Sequence, residues 1–290
     1  MRVAFATMEK IENRPANSVG SSRIRARWLI DHWPDAEEYM VGRKYNAMIF
    51  QKCYWEEMLV NFPGIKIFDI CDPDWLEPRP VIESIEHCHL AVTSTEPLAV
   101  YLRKFTTKPV IHIPDRINLD EHKEIKKDHK DTPLSAVWFG YGQNQHYLIK
   151  TLDFLIDRGI ALTVISNKAF DLPKGFEKLK LTNINYFYET LHEELIKHDF
   201  ALLPSTDKHD LKGQFKSNNK LTTCWALGLP VVQEPDDLER LWPKQARIDE
   251  SAQKIQLVKD RFDVKISVKQ YQVILENLQA GMVPTHMMST

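Results

Sequence analysis

Short apolar runs alternate with longer amphipathic ones along the whole chain, and that rhythm leaves few folds open. In the first half, Val3–Thr7, Ala47–Phe50, Ile65–Ile70, Leu90–Thr93 and Val110–Ile113 read as strands. Ser22–His32, Tyr54–Asn61, Val81–His87 and Pro97–Phe105 read as the helices between them. Strands that alternate with helices build βαβ units, which close into parallel sheets covered on both faces.

The rhythm stops once and then restarts. Residues 116 to 132 are dense in Asp, Glu, Lys and His and poor in large apolar side chains, as in a solvated connector. Strands then follow at Ser135–Phe139, Ala161–Ser166, Ile184–Phe187, Phe200–Pro204 and Pro230–Gln233. Helices follow at Tyr147–Arg158, Leu191–His198, Asn219–Leu227, Ser251–Asp260 and Ser267–Gln279. Leu148, Leu152, Leu155 and Ile156 share one face of the first of these, and Gly159 stops it. At 290 residues two domains are expected. We set the first at residues 1–118, the connector at 119–132 and the second at 133–265, with 266–290 a terminal helix and a frayed tail.

The composition is that of a soluble globular protein: 43% of residues are hydrophobic and 27% charged. No run reaches the roughly 20 apolar residues of a membrane span, and the start, Met1 to Ala6, has no signal-peptide pattern. A cytoplasmic location is expected. Cys53, Cys71, Cys88 and Cys224 are scattered, which suggests neither a zinc site nor a disulfide framework. His87, His89, His112, His146, His198 and His209 show no metal-ligand spacing, and no bound metal is expected. A net charge of −2 confines any nucleic-acid partner to a local basic patch.

In open α/β sheets ligands bind beyond the carboxyl ends of the strands. The richest such segment runs from Leu203-Pro204-Ser205 through Lys216-Ser217-Asn218-Asn219-Lys220-Leu221 to Ala226-Leu227-Gly228-Leu229-Pro230-Val231. A buried strand ends, a polar loop follows, and a helix opens with small polar residues and lysines. Unpaired N–H groups, the positive end of the helix dipole and Lys216 and Lys220 together make a diphosphate cradle. A plainly capped helix with solvated lysines fits the same residues.

Phe200 to Val232 resembles the donor-site region of GT-B glycosyltransferases of the group 1, family 4 type. There a Pro-Ser strand end leads to a helix closed by Ala-x-Gly-x-Pro-Val. Phe139-Gly140, Val92 to Glu96 and Ile113 to Asn118 carry the likeness more weakly. The resemblance implies two Rossmann-like domains facing a cleft, with Ser267–Gln279 packing back on the first. It implies transfer of a sugar from a nucleoside-diphosphate sugar to an acceptor hydroxyl, with retention and without metal or other cofactor. Lys216 and Lys220 then stabilise the leaving phosphate, with Ser217, Asn218, Asn219, Leu221 and Thr223 at the donor. The family has a glutamate where Thr223 stands, and Asp207 and Asp210 are the nearest candidates for its companion acid. That departure leaves open a scaffold that binds nucleotide sugar without turning it over, and an epimerase on a related two-domain architecture is a third reading.

Other candidates surround this segment. Gly140 and Gly142 suit a loop near phosphate or a simple tight turn, and His146 follows it. Tyr186 to Glu189 ends a strand where a nucleobase stacks, which makes Tyr188 a base-stacking candidate, or these rings are core. Asn17-Ser18-Val19-Gly20-Ser21-Ser22-Arg23 follows the first strand, and Gly20, Ser21 and Arg23 are assigned to acceptor or phosphate. Arg25 and Arg27 are read as surface arginines paired with carboxylates. Asp69, Asp72 and Asp74 surround the end of another strand. Asp72 is the first choice for a base if the reaction inverts, with turn and cap duty the plain alternative. The acceptor stays open among a hydroxymethylated DNA base, a glycan and a small molecule, and the oligomeric state is not set by the sequence.

Overall fold

A computed structural model of the chain describes residues 1–8, 20–205 and 210–282. The chain divides into two compact units. The first comprises Met1–Asn118, Lys208–Asn218 and Asp263–Thr290, and the second Leu119–Asp207 and Asn219–Phe262.

The first unit is built on six parallel strands: β1 (Val3–Thr7), β2 (Ala36–Glu38), β3 (Ala47–Gln51), β4 (Ile65–Ile70), β5 (Leu90–Thr93) and β6 (Val110–His112). Their order is β2-β1-β3-β4-β5-β6. Nearly every residue of β1, β3 and β5 is buried, as expected for strands covered on both faces. β2 escapes the sequence reading because two of its three residues are glutamates, a composition suited to a charged sheet edge.

The second unit carries β7 (Ser135–Gly140), β8 (Ala161–Ser166), β9 (Leu181–Asn185), β10 (Phe200–Leu202) and β11 (Val231–Val232), ordered β11-β10-β7-β8-β9. Every pairing in both sheets is parallel. In each sheet the chain reverses its direction of winding once, between β1 and β3 in the first and between β7 and β10 in the second. Those switch points are where an open α/β sheet leaves a crevice for ligand.

Several boundaries move. The helix expected at Ser22–His32 starts at Gly20 and passes through a π-helical turn, Arg23–Arg27, before Trp28–Asp31. The segment read as one helix from Tyr147 is a 3-10 helix over Gly142–Thr151 followed by an α-helix, Leu152–Asp157. Gly142 and Asn144 are poor α-helix formers, which fits the tighter winding there. The strand expected at Ile184–Phe187 ends at Asn185, and Tyr188 opens a helix, Tyr188–Ile196. A helix over Pro235–Arg240, started by Glu234 and Asp237 as a capping box, went unread.

One segment differs more in kind. The charged stretch is not simply solvated: His122, Lys126 and His129 are buried. The Lys126 backbone N–H donates to Leu227 and its ammonium to the Ile196 carbonyl. These contacts tie residues 119–132 into the second unit. The last helix, Val264–Gln279, belongs to the first unit and buries Val264, Ser267, Val268, Tyr271, Ile274 and Leu275. That i, i+3, i+4, i+7 spacing is one helix face. Residues 283–290, which include most of the expected tail, lie outside the described residues.

Candidate functional site

In the second unit β7 delivers Gly140 to the switch point with φ +150°. A Cβ there would overlap Lys220 Nζ, so the glycine makes room for the lysine. The Lys220 ammonium lies 4.8 Å from the centroid of the Trp138 ring and 5.7 Å from that of Phe139. Lys220 is the second residue of the helix Asn219–Ala226, which Gly228 closes at φ +66°. A cation beside a glycine strand end and the opening of a helix is the arrangement a phosphate needs. Gly142 donates its N–H to Asn167 Oδ1 at 2.9 Å, and a Cβ on it would strike the Lys168 stem.

The other donor-site candidates of this unit are less open. Leu221 packs against the core formed by Val137, Phe139 and Leu227, and Thr223 is buried within the helix. The Tyr188 hydroxyl donates to Glu121 at 2.8 Å, and its ring meets His192 edge-on. His192 lies 4.2 Å from His122, so this corner holds the former connector. The His146 Nδ1–H donates to the Gln143 carbonyl of its own turn at 2.9 Å. Asp207 and His209 lie outside the described residues.

Lys216, Ser217 and Asn218 fall in the first unit, and Asn219 and Lys220 in the second. The reason is an aromatic anchor. Trp75 and Tyr101 stack at 4.2 Å, and Phe215 meets both edge-on at 5.2 and 5.7 Å. The Phe215 carbonyl accepts from Thr95 Oγ1, and Ser217 hydrogen-bonds Asp115. Lys216 shares the electrostatic field of Asp210 and Asp72; partial burial nevertheless pulls its pKa down.

Asp72 follows β4, and its carboxylate is already engaged. Lys52 donates to Asp72 Oδ2 at 2.7 Å and lies 3.1 Å from Asp74, which also accepts from the Tyr54 hydroxyl at 2.8 Å. Burial works against the Lys52 charge, but Cys71, Asp72 and Asp74 outweigh it and raise its pKa. Burial likewise raises Asp74, with Lys52 and Tyr54 opposing. The sequence reading passed over Lys52.

Gly20 and Ser21 open the helix after β1, and the Arg23 guanidinium turns back to within 3.9 Å of where a Gly20 Cβ would be. Asn17, Ser18 and Val19 lie outside the described residues. Arg25 is not a surface arginine. It is 3% exposed, pairs with both oxygens of Asp69 at 3.0 and 2.7 Å, and reaches Asp115 at 3.1 Å and the Ile113 carbonyl at 2.7 Å. Tyr271 of the terminal helix donates to the same Asp69. Asp69 and Arg25 thus knit β4, β6 and two helices together. Arg27 does pair at the surface, with Asp31. Among the described residues, no group of three His, Cys, Asp or Glu side chains is placed to hold a metal ion.

No protein-family model matches the sequence, and no curated protein matches it significantly. Solved structures do. TarM superposes with a TM-score of 0.59 at 9% identity, over 85% of this chain and 55% of that one. The catalytic domain of starch synthase IV from Arabidopsis thaliana, bound to ADP and acarbose, gives 0.52 at 11% identity, over 81% and 73%. The chain has the GT-B glycosyltransferase fold. The glycosyltransferase SnogD from Streptomyces nogalater is also matched, at 10% identity over 94% of this chain and 99% of that one, with a TM-score of 0.42. This chain spans only about half of TarM and of two streptococcal glycosylation and secretion assemblies that it also matches, at 55%, 54% and 54%. No described helix is long and apolar enough to cross a membrane.

Proposed function

We propose that the chain is a glycosyltransferase that takes a nucleoside-diphosphate sugar on its second unit and passes the sugar to an acceptor hydroxyl with retention. The observation that carries this is Lys220 against Gly140 at the β7/β10 switch point, on a GT-B fold. A fixed ammonium at a leaving diphosphate stabilises the charge that develops as the glycosidic bond breaks. Asn219 and the first turn of its helix supply N–H donors beside it. Lys216, Ser217, Asn218, Leu221, Thr223 and Tyr188 are the further donor candidates. The ADP bound to starch synthase IV is consistent with a nucleotide on this fold.

The retaining course rests on the resemblance of Phe200 to Val232 to retaining donor sites. Asp72 accepts from the Lys52 ammonium through one oxygen and keeps lone pairs for the acceptor hydroxyl's proton, so it is the base if the reaction inverts. In the retaining course the leaving phosphate oxygen takes that proton, and no side-chain base is required. No step uses a protein-bound metal.

The test is a thermal-shift screen of the purified chain against UDP, GDP, ADP and their sugar conjugates, with and without divalent cation. One nucleotide family is expected to raise Tm by a few degrees, and Lys220→Ala to abolish the rise. Turnover of that donor, followed by mass spectrometry, then separates transferase from binder. Buried Thr223, in the place of the family's glutamate, favours a binder as the second reading. Absence of any shift at millimolar nucleotide overturns both.

A further inference from the structure

Residues 119–132 enter the second unit and hold the end of the helix that carries Lys220. The Lys126 N–H donates to the Leu227 carbonyl at 2.8 Å. At Gly228, which closes that helix, an added Cβ would come within 3.2 Å of the Ile125 side chain and 3.7 Å of the Lys126 carbonyl. The connector is fastened in turn by cations. Wholly buried Arg247 donates to the Leu241 carbonyl at 2.7 Å and also to the carbonyls of Trp242 and Lys130. The Lys126 ammonium, buried as well, donates to the Ile196 carbonyl at 3.1 Å. Both cations lie in the field of Asp199, a buried carboxylate whose Oδ2 already accepts from Leu134 and Ser135.

His129 sits among these charges. It is 8% exposed, and its Nδ1 has no hydrogen-bond partner. Burial lowers its pKa; Lys126, Arg247 and Lys244 lower it further, and Asp199 opposes them. Asp128, Lys130 and Asp131 are its neighbours along the chain. Of these, Lys130 lies 4.0 Å from Asp199, and Asp131 pairs with Lys244 at the surface. His198 also faces Lys126, but both of its ring nitrogens are engaged, at the Glu194 carbonyl and at Thr163 Oγ1. Arg247 and Lys126 already set two buried positive charges against the negative charge of Asp199. A proton on His129 enlarges that excess where solvent screens it least. Toward the start of the connector, His122 packs on His192 at 4.2 Å, beside Tyr188 and Glu121. Two imidazoles this close resist a second charge.

We propose that residues 122–130 are an acid-released clasp on the helix of Lys220: they hold its closing turn while His129 is neutral and let it go once His129 is protonated. A released imidazole titrates at about 6.5, and a clasped one lower. Clasping is therefore full above about pH 7, weakens as pH falls through 6.5, and stops weakening once pH reaches the clasped value. For one imidazole, the change between about pH 7.5 and about pH 5.5 is at most about tenfold in the clasping equilibrium. Only the consequence for nucleotide rests on the glycosyl-transfer reading.

Hydrogen exchange of the full chain, without nucleotide, is measured at both pH values, and each amide rate is divided by its intrinsic rate at that pH. Protection at Lys126, Leu227 and Gly228 is expected to fall about five- to tenfold at the lower pH, while Val137 of β7 and Val164 of β8 keep theirs. His129→Gln, which cannot take the charge, is expected to shrink that fall to about twofold or less. Because this variant can loosen the clasp by itself, the His129 ring is also titrated by NMR in the unaltered chain, where its midpoint is expected below about 6.5. A ring midpoint at or above that value, no fall in protection, or a fall shared equally by β7 and β8 overturns the clasp. The nucleotide-induced rise in Tm is then compared at the two pH values and is expected to be smaller at the lower one. A rise at neither pH overturns the donor reading and leaves the clasp standing on its exchange and titration results.

Discussion

At the scale of single residues, the glycine that ends β7 and the carboxylates buried in each unit make the sharpest tests. Gly140 combines φ +150° with a lysine nitrogen where its Cβ would be. Gly140→Ala is therefore expected to cost roughly 1–3 kcal/mol and to displace Lys220. The nucleotide-induced shift is expected to fall more than Tm itself does. Asp69→Asn leaves the Arg25 guanidinium short of its buried counter-charge, which costs about 3–5 kcal/mol, read by urea denaturation. Asp199 gives a pH test. Burial opposes its charge, but donors from Leu134 and Ser135 lower its pKa below the ordinary value. A carboxyl with a depressed folded pKa contributes stability that is full above its unfolded value of about 3.9. That contribution is lost as pH falls through the lower folded value. Asp199→Asn is expected to lower stability at neutral pH and to flatten its decline below about pH 4, as followed by denaturation at stepped pH.

At the scale of elements, the loop at 210–218 is the instructive case. Its place in the first unit depends on Phe215, which is 8% exposed and enclosed by Trp75 and Tyr101. Phe215→Ala is expected to cost about 3–5 kcal/mol and to speed amide exchange at Lys216 and Ser217, measured by hydrogen exchange. Nothing in Lys212-Gly213-Gln214-Phe215-Lys216 announces this, because a lone aromatic in a polar loop has no period to read. The strands, by contrast, were legible, since burial on both faces forces continuous apolar runs such as Ala47 to Phe50. Where an element is held by charge instead, as with Ala36–Glu38, composition conceals it. The same holds for the candidate site. Gly140 and Lys220 were legible from strand-end and helix-start chemistry. Lys52 was not, because its role depends on a left-handed backbone and on Asp72 and Asp74, twenty or more residues away. Arg25 was misread as exposed because an arginine in an amphipathic helix gives no sign that Asp69 and Asp115 await it.

At the scale of the whole molecule, the last helix decides whether the first unit can exist. Val264, Val268, Tyr271, Ile274 and Leu275 each lie at or below 4% exposure. Burying a largely apolar side chain of this size contributes about 1.5–3 kcal/mol. Five of them approach the roughly 5–15 kcal/mol by which an ordinary domain is stable. The helix also brings the Tyr271 hydroxyl to Asp69, and its first residue, Val264, donates to the Ile117 carbonyl at 2.9 Å. The second unit holds no residue from beyond Phe262. A chain ending at residue 262 is therefore expected to lose the cooperative unfolding of the first unit and to keep that of the second. Calorimetry checks this directly. The full chain should show the heat of both units, and the shortened chain one transition with the enthalpy of the smaller. Amide exchange should then be fast across β1, β3 and β4 and remain slow across β7 and β8. If the shortened chain instead melts with undiminished enthalpy, the face holding Tyr271 contributes little, and Arg25, Asp69 and Asp115 hold the first unit together by themselves.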